Sequence, residues 1–347
     1  MIFILQTEFS LRFPFFSLAA RYRSGASGAA AAAAARVKLA AAQSRLLKNN
    51  PLTARDLLVL RAMNPRECEF RKIKKLGAGS FGTVWLVQRK SDGLEFALKE
   101  IDLRKPGMHQ VMKEIETMTK LPQHPNIVQL HDHWMSADRQ DMWLLLQYCS
   151  RGPLSQLFLA SRPEPDDAML DLGHQLLQAL CVFERNGVVH NDIKPDNVFI
   201  MDSGVPKVGD LGLARFTTLS VLTTSPGGTP LFQSPEVLSK CTGADGKPVC
   251  FPEYAACKIS YESDVYSLGV LMWSLIMRRY PDRSGGASSS LLTPSIVANS
   301  KLRTLVNDML QPDPALRPRA SKLVKELVSF ELFMRAFRSF LKPPRSR

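Results

Sequence analysis

Apolar residues along the chain follow two regimes that meet near Phe70. Before it they come in short, broken stretches: Met1 to Leu5, then Phe9 to Ala20 interrupted by Arg12 and Pro14, then an alanine run from Ala29 to Ala35. No uninterrupted apolar stretch reaches the ~20 residues that span a bilayer, so no transmembrane span is expected. Beyond Phe70 the pattern takes on the periods of packed structure. Thr83-Val84-Trp85-Leu86-Val87 is β-branched and aromatic, and Ser91-Asp92-Gly93 carries the Asp-Gly pair that favours a tight hairpin turn. Leu94-Glu95-Phe96-Ala97-Leu98-Lys99 reads as a returning strand that ends at Lys99. Strand, glycine turn, strand, turn, strand predicts an antiparallel unit. Further on, Val111 to Met118 predicts a helix, and assigning Glu114 inward leaves Ile115 and Met118 on its apolar side.

Composition sharpens this picture. With 347 residues, 45% of them hydrophobic and 22% charged, the chain can bury a substantial core as one large domain or two ordinary ones. A wholly disordered chain, a collagen-like chain and a multi-span membrane protein are excluded. The formal charge of +13 is unevenly spread. Residues 1–66 hold ten Lys/Arg against two acids, residues 331–347 hold five against one, and the stretch between is close to neutral. The basic excess therefore sits in the flanks, and no nucleic-acid partner is expected.

Six cysteines without a C-x-x-C pair argue against a zinc ribbon or a redox dithiol. Free thiols in a reducing compartment, taken as the cytoplasm, are the preferred reading, ahead of a metal site among Cys241, Cys250 and Cys257. Residues 1–66 are Arg-rich and acid-poor in the manner of an organelle transit peptide. The preferred reading is a disordered or loosely helical Ala-rich extension.

The chemistry begins at Leu76-Gly77-Ala78-Gly79-Ser80-Phe81-Gly82-Thr83-Val84, which contains G-x-G-x-x-G. In dinucleotide-binding folds such glycines open a helix, whereas here a strand pattern follows. Glycines at these places let backbone lie close over a triphosphate, where a Cβ would collide. No Gly-Lys-Ser/Thr follows, so a Walker-type loop is absent. Phe96-Ala97-Leu98-Lys99 matches V-A-I-K, in which the lysine neutralises the α/β-phosphates. His190-Asn191-Asp192-Ile193-Lys194-Pro195-Asp196-Asn197 matches H-R-D-L-x-x-x-N except at Asn191 and, mildly, Ile193. Asp210-Leu211-Gly212 stands eighteen residues after Asp192, where D-F-G is expected.

From about residue 70 to about residue 328 the sequence thus resembles a eukaryotic-type protein kinase. The resemblance implies an α+β, two-lobed fold: an antiparallel-sheet lobe over about 67–146 and a mainly helical lobe over about 150–330. Residues 1–66 are then an N-terminal extension and 331–347 a basic tail. It implies ATP and Mg²⁺, and a protein substrate with a Ser or Thr acceptor. Asp192 would accept the hydroxyl proton, Lys194 would steady the transferring phosphoryl group, and Asn197 and Asp210 would hold the metal. Lys99 would be held by a carboxylate on the next helix, Glu114 being preferred over Glu116. The loop from Leu76 through Gly77, Ala78, Gly79, Ser80, Phe81, Gly82 and Thr83 to Val84 would cover the phosphates. Val84 and Ala97 would roof the adenine, Leu146 would back it, Phe199 would lie under it, and it would hang from the backbone of Gln147, Tyr148 and Cys149. Cys149 is also a candidate covalent-ligand site, with an inert linker residue as the alternative.

Further parts of the resemblance set the frame of the larger lobe. His190 is implied to be a packed structural residue, Thr229 to steady Asp192, Glu236 to pair with Arg317, and Asp264 to anchor the catalytic-loop backbone. Two departures matter. Asn191 replaces the arginine that in most kinases pairs with a phosphate on the activation segment, which weakens the case for switching by loop phosphorylation. Residues 239–258 make the stretch between Glu236 and Asp264 long, as a surface loop or a docking insertion. Wee-like tyrosine or dual specificity is the alternative that Lys194 and Thr229 argue against, and a pseudokinase scaffold is a further one.

Overall fold

The computed structural model describes residues 69–79, 82–104, 108–136, 140–160, 165–216, 229–238, 260–281, 297 and 299–328. The expectations placed on residues 1–66, 217–225, 239–258 and 331–347, on Ser80 and Phe81, and on Cys241, Cys250 and Cys257 lie outside them. Contacts divide the chain into two units, residues 1–70 with 135–141, and residues 71–134 with 142–347. Apart from the strand-end residues Phe70, Met135 and Asp141, the residues considered below belong to the second.

The first part of that unit is built on strands β1 (Phe70–Gly79), β2 (Gly82–Arg89), β3 (Glu95–Asp102), β4 (Leu130–Met135) and β5 (Asp141–Gln147), with helix α1 (Met108–Lys120) between β3 and β4. The sheet order is β1-β2-β3-β5-β4. β2 and β3 pair antiparallel, with Val84 opposite Lys99 and Leu86 opposite Ala97. The hairpin between them forms at Asp92-Gly93: Gly93 takes φ +75°, and the Asp92 side chain accepts the Leu94 N–H at 3.1 Å. β3 continues past Lys99 to Asp102, so the strand end expected at Lys99 is three residues early. The continuation is Glu-Ile-Asp, in which Ile101 is fully buried and extends the core side of the strand.

The second part is helical. Helices α2 (Leu154–Ala160), α3 (Asp166–Arg185), α4 (Pro235–Leu238), α5 (Tyr261–Met277) and α6 (Ser300–Met309) surround short strand pairs, and a last helical run covers 320–328. Thirteen consecutive residues of α5, Ser263 to Leu275, are buried, which makes it the central post of the core. Its start is fixed by a capping box between Ser260 and Ser263. α3 and α6 close around it through Leu176, Leu177, Leu180, Leu302 and Val306. Strand β6 (Val188–Val189) pairs with residues 215–216, strand β7 (Val198–Ile200) pairs with β8 (Pro206–Val208), and the single-turn helices Pro195–Asn197 and Leu211–Leu213 carry the loops at either end of β7 and β8. The architecture is the two-lobed protein-kinase fold, with an antiparallel sheet followed by a helical lobe.

Candidate active site

α1 buries Val111, Ile115 and Thr117, and Glu114 lies on the same inward side with 8% of its surface exposed. From there its Oε1 accepts from Lys99 Nζ at 2.8 Å, while Glu116, the rival, is turned to solvent and pairs with Lys120. Lys99 Nζ also donates to Asp210 Oδ1 at 2.9 Å. Burial alone would push the Lys99 ammonium down, but the Glu114 carboxylate, and after it Asp210, outweigh that and hold it above its ordinary value. Lys99 in turn draws the Asp210 carboxyl below the usual carboxylate range. Gly212 lies against this cluster: a Cβ there would meet Asp210 Oδ1 and Glu114 Oε2 at 3.4 Å, in van der Waals contact. The turn Leu211–Leu213 packs on α1 with Leu211 fully buried.

On the facing loop Asp192 is 8% exposed, and both its oxygens are engaged. Oδ2 accepts from Asn197 Nδ2 at 2.8 Å and lies 2.7 Å from Lys194 Nζ. Oδ1 accepts from the Thr229 backbone N–H at 3.0 Å and the Thr229 hydroxyl at 3.3 Å. Lys194 Nζ also donates to Thr229 Oγ1 at 2.8 Å. Because Asn197 spends its Nδ2 on Asp192, its carbonyl oxygen remains as a hard donor, as does the Asp210 carboxylate, whose side chain is 47% exposed. An amide oxygen and a carboxylate suit Mg²⁺, which retains waters and phosphate oxygens as further ligands. Among the described residues no group of three or more His, Cys, Asp or Glu forms a metal cage of another kind.

Several contacts tie this loop down. The buried Asp264 of α5 accepts the His190 and Asn191 backbone N–H groups at 2.7 and 2.8 Å. His190 is fully buried, with Nε2 3.0 Å from the Gly209 carbonyl and Nδ1 accepting the Asp192 N–H at 3.3 Å. That is a structural role, and it links the Asp192 loop to the segment carrying Asp210.

Leu76, Val84, Ala97, Leu146 and Phe199 are neither buried nor fully exposed, and the same holds for Thr83, Gln147 and Tyr148. Gly77 and Ala78 are exposed, and a Cβ on Gly77 would meet nothing within 4 Å. Gly82 carries a constraint of its own: a Cβ there would sit 1.7 Å from the Glu100 carbonyl oxygen, so the neighbouring strand by itself demands glycine at this position. Cys149 is buried, and burial pushes its thiol up to about 11, which leaves little thiolate and favours the inert linker over the covalent-ligand site.

Two contributors carried no sequence signal. Lys207 is buried and donates to the Pro125 carbonyl at 2.6 Å, and Asn126 bonds Gln175 and the Pro206 carbonyl at 3.0 Å each. Both join the β7–β8 pair to the segment before β4, and each depends on a partner at least 49 residues away.

A model of the protein kinase domain matches residues 70–329. The chain belongs to that family. It is 28% identical over 293 residues to the serine/threonine-protein kinase PAK mbt of Drosophila melanogaster, covering 81% of this chain and 43% of that protein. It is 27% identical over 264 residues to mouse serine/threonine-protein kinase Nek3, covering 73% and 48%. It is 30% identical over 292 residues to mouse PLK5, described as an inactive serine/threonine-protein kinase, covering 80% and 45%. The chain spans less than half the length of each of these relatives. No helix among the described residues is long and apolar enough to cross a membrane.

Asp264 gives the site a pH signature. Burial raises its carboxyl to about 6, against the pull of His190 and the two backbone N–H groups, with Asp192 adding to the rise. The ionised form accepts both N–H bonds, so protonation releases the loop, and kcat is expected to fall as pH drops through about 6. The stability effect runs the other way. The folded pKa lies above the unfolded one, so the native state binds more protons between about pH 4 and 6, and this group's contribution falls as pH rises through that window. A pH–rate profile measured beside pH-dependent urea unfolding checks this. An acid limb that merely tracks unfolding, or no limb down to pH 5, contradicts it.

Proposed function

We propose that this chain is a protein serine/threonine kinase that transfers the γ-phosphoryl group of ATP to protein hydroxyls. The observation that carries the reading is the pair of facing constellations: Lys99 bonded to both Glu114 and Asp210, and Asp192 bonded by Asn197, Thr229 and Lys194. In this reading Lys99, steadied by Glu114, neutralises phosphate oxygens, and Asp192 takes the proton of the attacking hydroxyl. Lys194 steadies charge on the group in flight. The chemistry needs positioning and neutralisation rather than a covalent intermediate. Asn197 and Asp210 would hold Mg²⁺, which when bound supplies neutralisation of the phosphates. Leu76 to Val84 would cover the triphosphate. Ala97, Leu146 and Phe199 would line the adenine site, with Gln147 to Cys149 offering backbone groups. A reducing, cytoplasmic setting fits the buried free thiols Cys149 and Cys181.

The Lys194–Thr229 bond favours Ser/Thr over Tyr acceptors, by the family resemblance of those two residues. A peptide array with free Ser, Thr and Tyr acceptors tests the choice. Incorporation on Ser and Thr is expected, and incorporation confined to Tyr overturns it.

Asn191 has no charge with which to hold a phosphate, so activity is expected to survive without modification of the activation segment. Alanine at Thr217, Thr218, Ser220, Thr223, Thr224 and Ser225 together is expected to leave kcat within about threefold, less than about 1 kcal/mol in the barrier. Complete loss in a phosphorylation assay would contradict this.

A further inference from the structure

On the face of the sheet opposite Lys99 runs a row of side chains with one member from each of the five strands. Glu100 of β3 stands at its centre. Lys99 and Glu100 are adjacent in the strand, so their side chains leave opposite faces, Lys99 toward Glu114 and Asp210 and Glu100 away from them. The Glu100 carboxylate uses both oxygens. Oε1 accepts from Lys72 Nζ of β1 at 2.5 Å, and Oε2 accepts from Trp85 Nε1 of β2 at 2.6 Å. The Lys72 ammonium also lies 4.7 Å from the Trp85 ring centre and 5.5 Å from that of Trp143 on β5. Trp143 in turn meets Trp134 of β4 edge-on at 5.9 Å. Cross-strand pairs are thus linked from one edge of the sheet to the other.

We infer that Glu100 is a positioning residue: it ties both ends of the loop Leu76–Val84 to the strand that carries Lys99, and so sets that loop over the triphosphate. Lys72 lies four residues before the loop and Trp85 directly after it, so one carboxylate spans its base. At the same place the Glu100 carbonyl oxygen leaves no room for a Cβ on Gly82, which brings the end of the loop against β3. A stabilising role explains the arrangement poorly. Lys72 and Glu100 keep 42% and 20% of their side-chain surface in solvent, and an ion pair so exposed adds little to stability. The inference rests on the reading of the chain as an ATP-dependent kinase. Charge fixes the sign of its test. A carboxylate on the strand that holds Lys99 repels a triphosphate, so losing it would tighten ATP binding by Coulomb's law alone. Losing the tie frees the loop and weakens ATP binding instead.

The test uses the full chain with Glu100→Gln, measuring ATP and adenosine affinities by calorimetry with Mg²⁺, beside kcat, KM for ATP and the urea unfolding midpoint. The variant is expected to bind ATP about fivefold more weakly, equivalent to about 1 kcal/mol, with KM for ATP rising in step. Adenosine has no phosphates for the loop to cover, so its affinity is expected to stay within about twofold of the parent. For the same reason kcat is expected to stay within about threefold. Unchanged or tighter ATP binding overturns the inference, and so does an equal loss for adenosine, which marks a general distortion of the site. If Glu100→Gln fails to fold, Trp85→Phe carries the same expectations, since it removes the Nε1 donor and leaves the charge unchanged. Failure of both to fold overturns the inference, because the row is then a stability device. A parent chain that binds no ATP removes the kinase reading and the inference with it, whereas ATP binding that the variant does not weaken removes the inference alone.

Discussion

Asp192→Asn is expected to lower kcat by about 10²–10⁴-fold, the range that a positioned general base contributes, with KM for ATP nearly unchanged. The asparagine has the same shape, but it cannot take up the acceptor's proton. Its amide also offers one acceptor oxygen where the carboxylate offers two, against donors from Asn197, Lys194 and Thr229. One of those donors must therefore face an N–H₂ group. Nucleotide affinity should survive, because no bond joins Asp192 to the cluster of Lys99, Glu114 and Asp210 on the other side. Steady-state kinetics beside nucleotide binding by calorimetry separate the two effects. A variant keeping more than about a tenth of the activity is incompatible with general-base catalysis at this position.

Arg317→Ala is expected to produce the largest loss of stability, about 3–5 kcal/mol, the usual penalty for removing one partner of a buried ion pair. The Arg317 side chain has no exposed surface, and its five N–H groups have five protein acceptors. Nη1 donates to Glu236 Oε1 at 2.8 Å and to the Glu262 carbonyl at 2.7 Å. Nη2 donates to Glu236 Oε2 and the Pro312 carbonyl, and Nε to the Gln311 carbonyl. The guanidinium also lies 4.8 Å from the Tyr266 ring centre. Removing it strands Glu236, which burial would push up but which the Arg317 bond holds below the usual carboxylate range. For a domain of this size the melting temperature should fall by roughly 10 °C. A shift under about 2 °C would mean that the pair is not buried in solution as described.

The candidate site residues are legible because each belongs to a motif whose chemistry limits the residue type. The preference for Glu114 over Glu116 is legible because, with Lys99 upstream asking for a carboxylate, helical period sets Ile115 and Met118 on the apolar side with Glu114, and Glu114 is buried there. What escaped depended on contacts distant in sequence. The strand end expected at Lys99 falls three residues short because the core holds Ile101, a contact the motif ending at Lys99 does not report. The steric demand for glycine at position 82 has no local signature, because the Glu100 carbonyl that excludes a Cβ lies on the neighbouring strand. The anchoring of His190 and Asn191 by Asp264 spans more than 70 residues, and only the family resemblance implied it. The left-handed backbone at Asn191 has no signature in the local sequence, which presents only an exception to a motif.

The measurement that bears most directly on the account is transfer of radiolabel from [γ-³²P]ATP to a protein substrate by the full chain, with Mg²⁺ and with the metal chelated. Label on serine and threonine that needs Mg²⁺ and disappears in Lys99→Ala is the predicted result. Nucleotide that binds without any label reaching protein, at any Mg²⁺ concentration, would contradict it and leave the chain a scaffold.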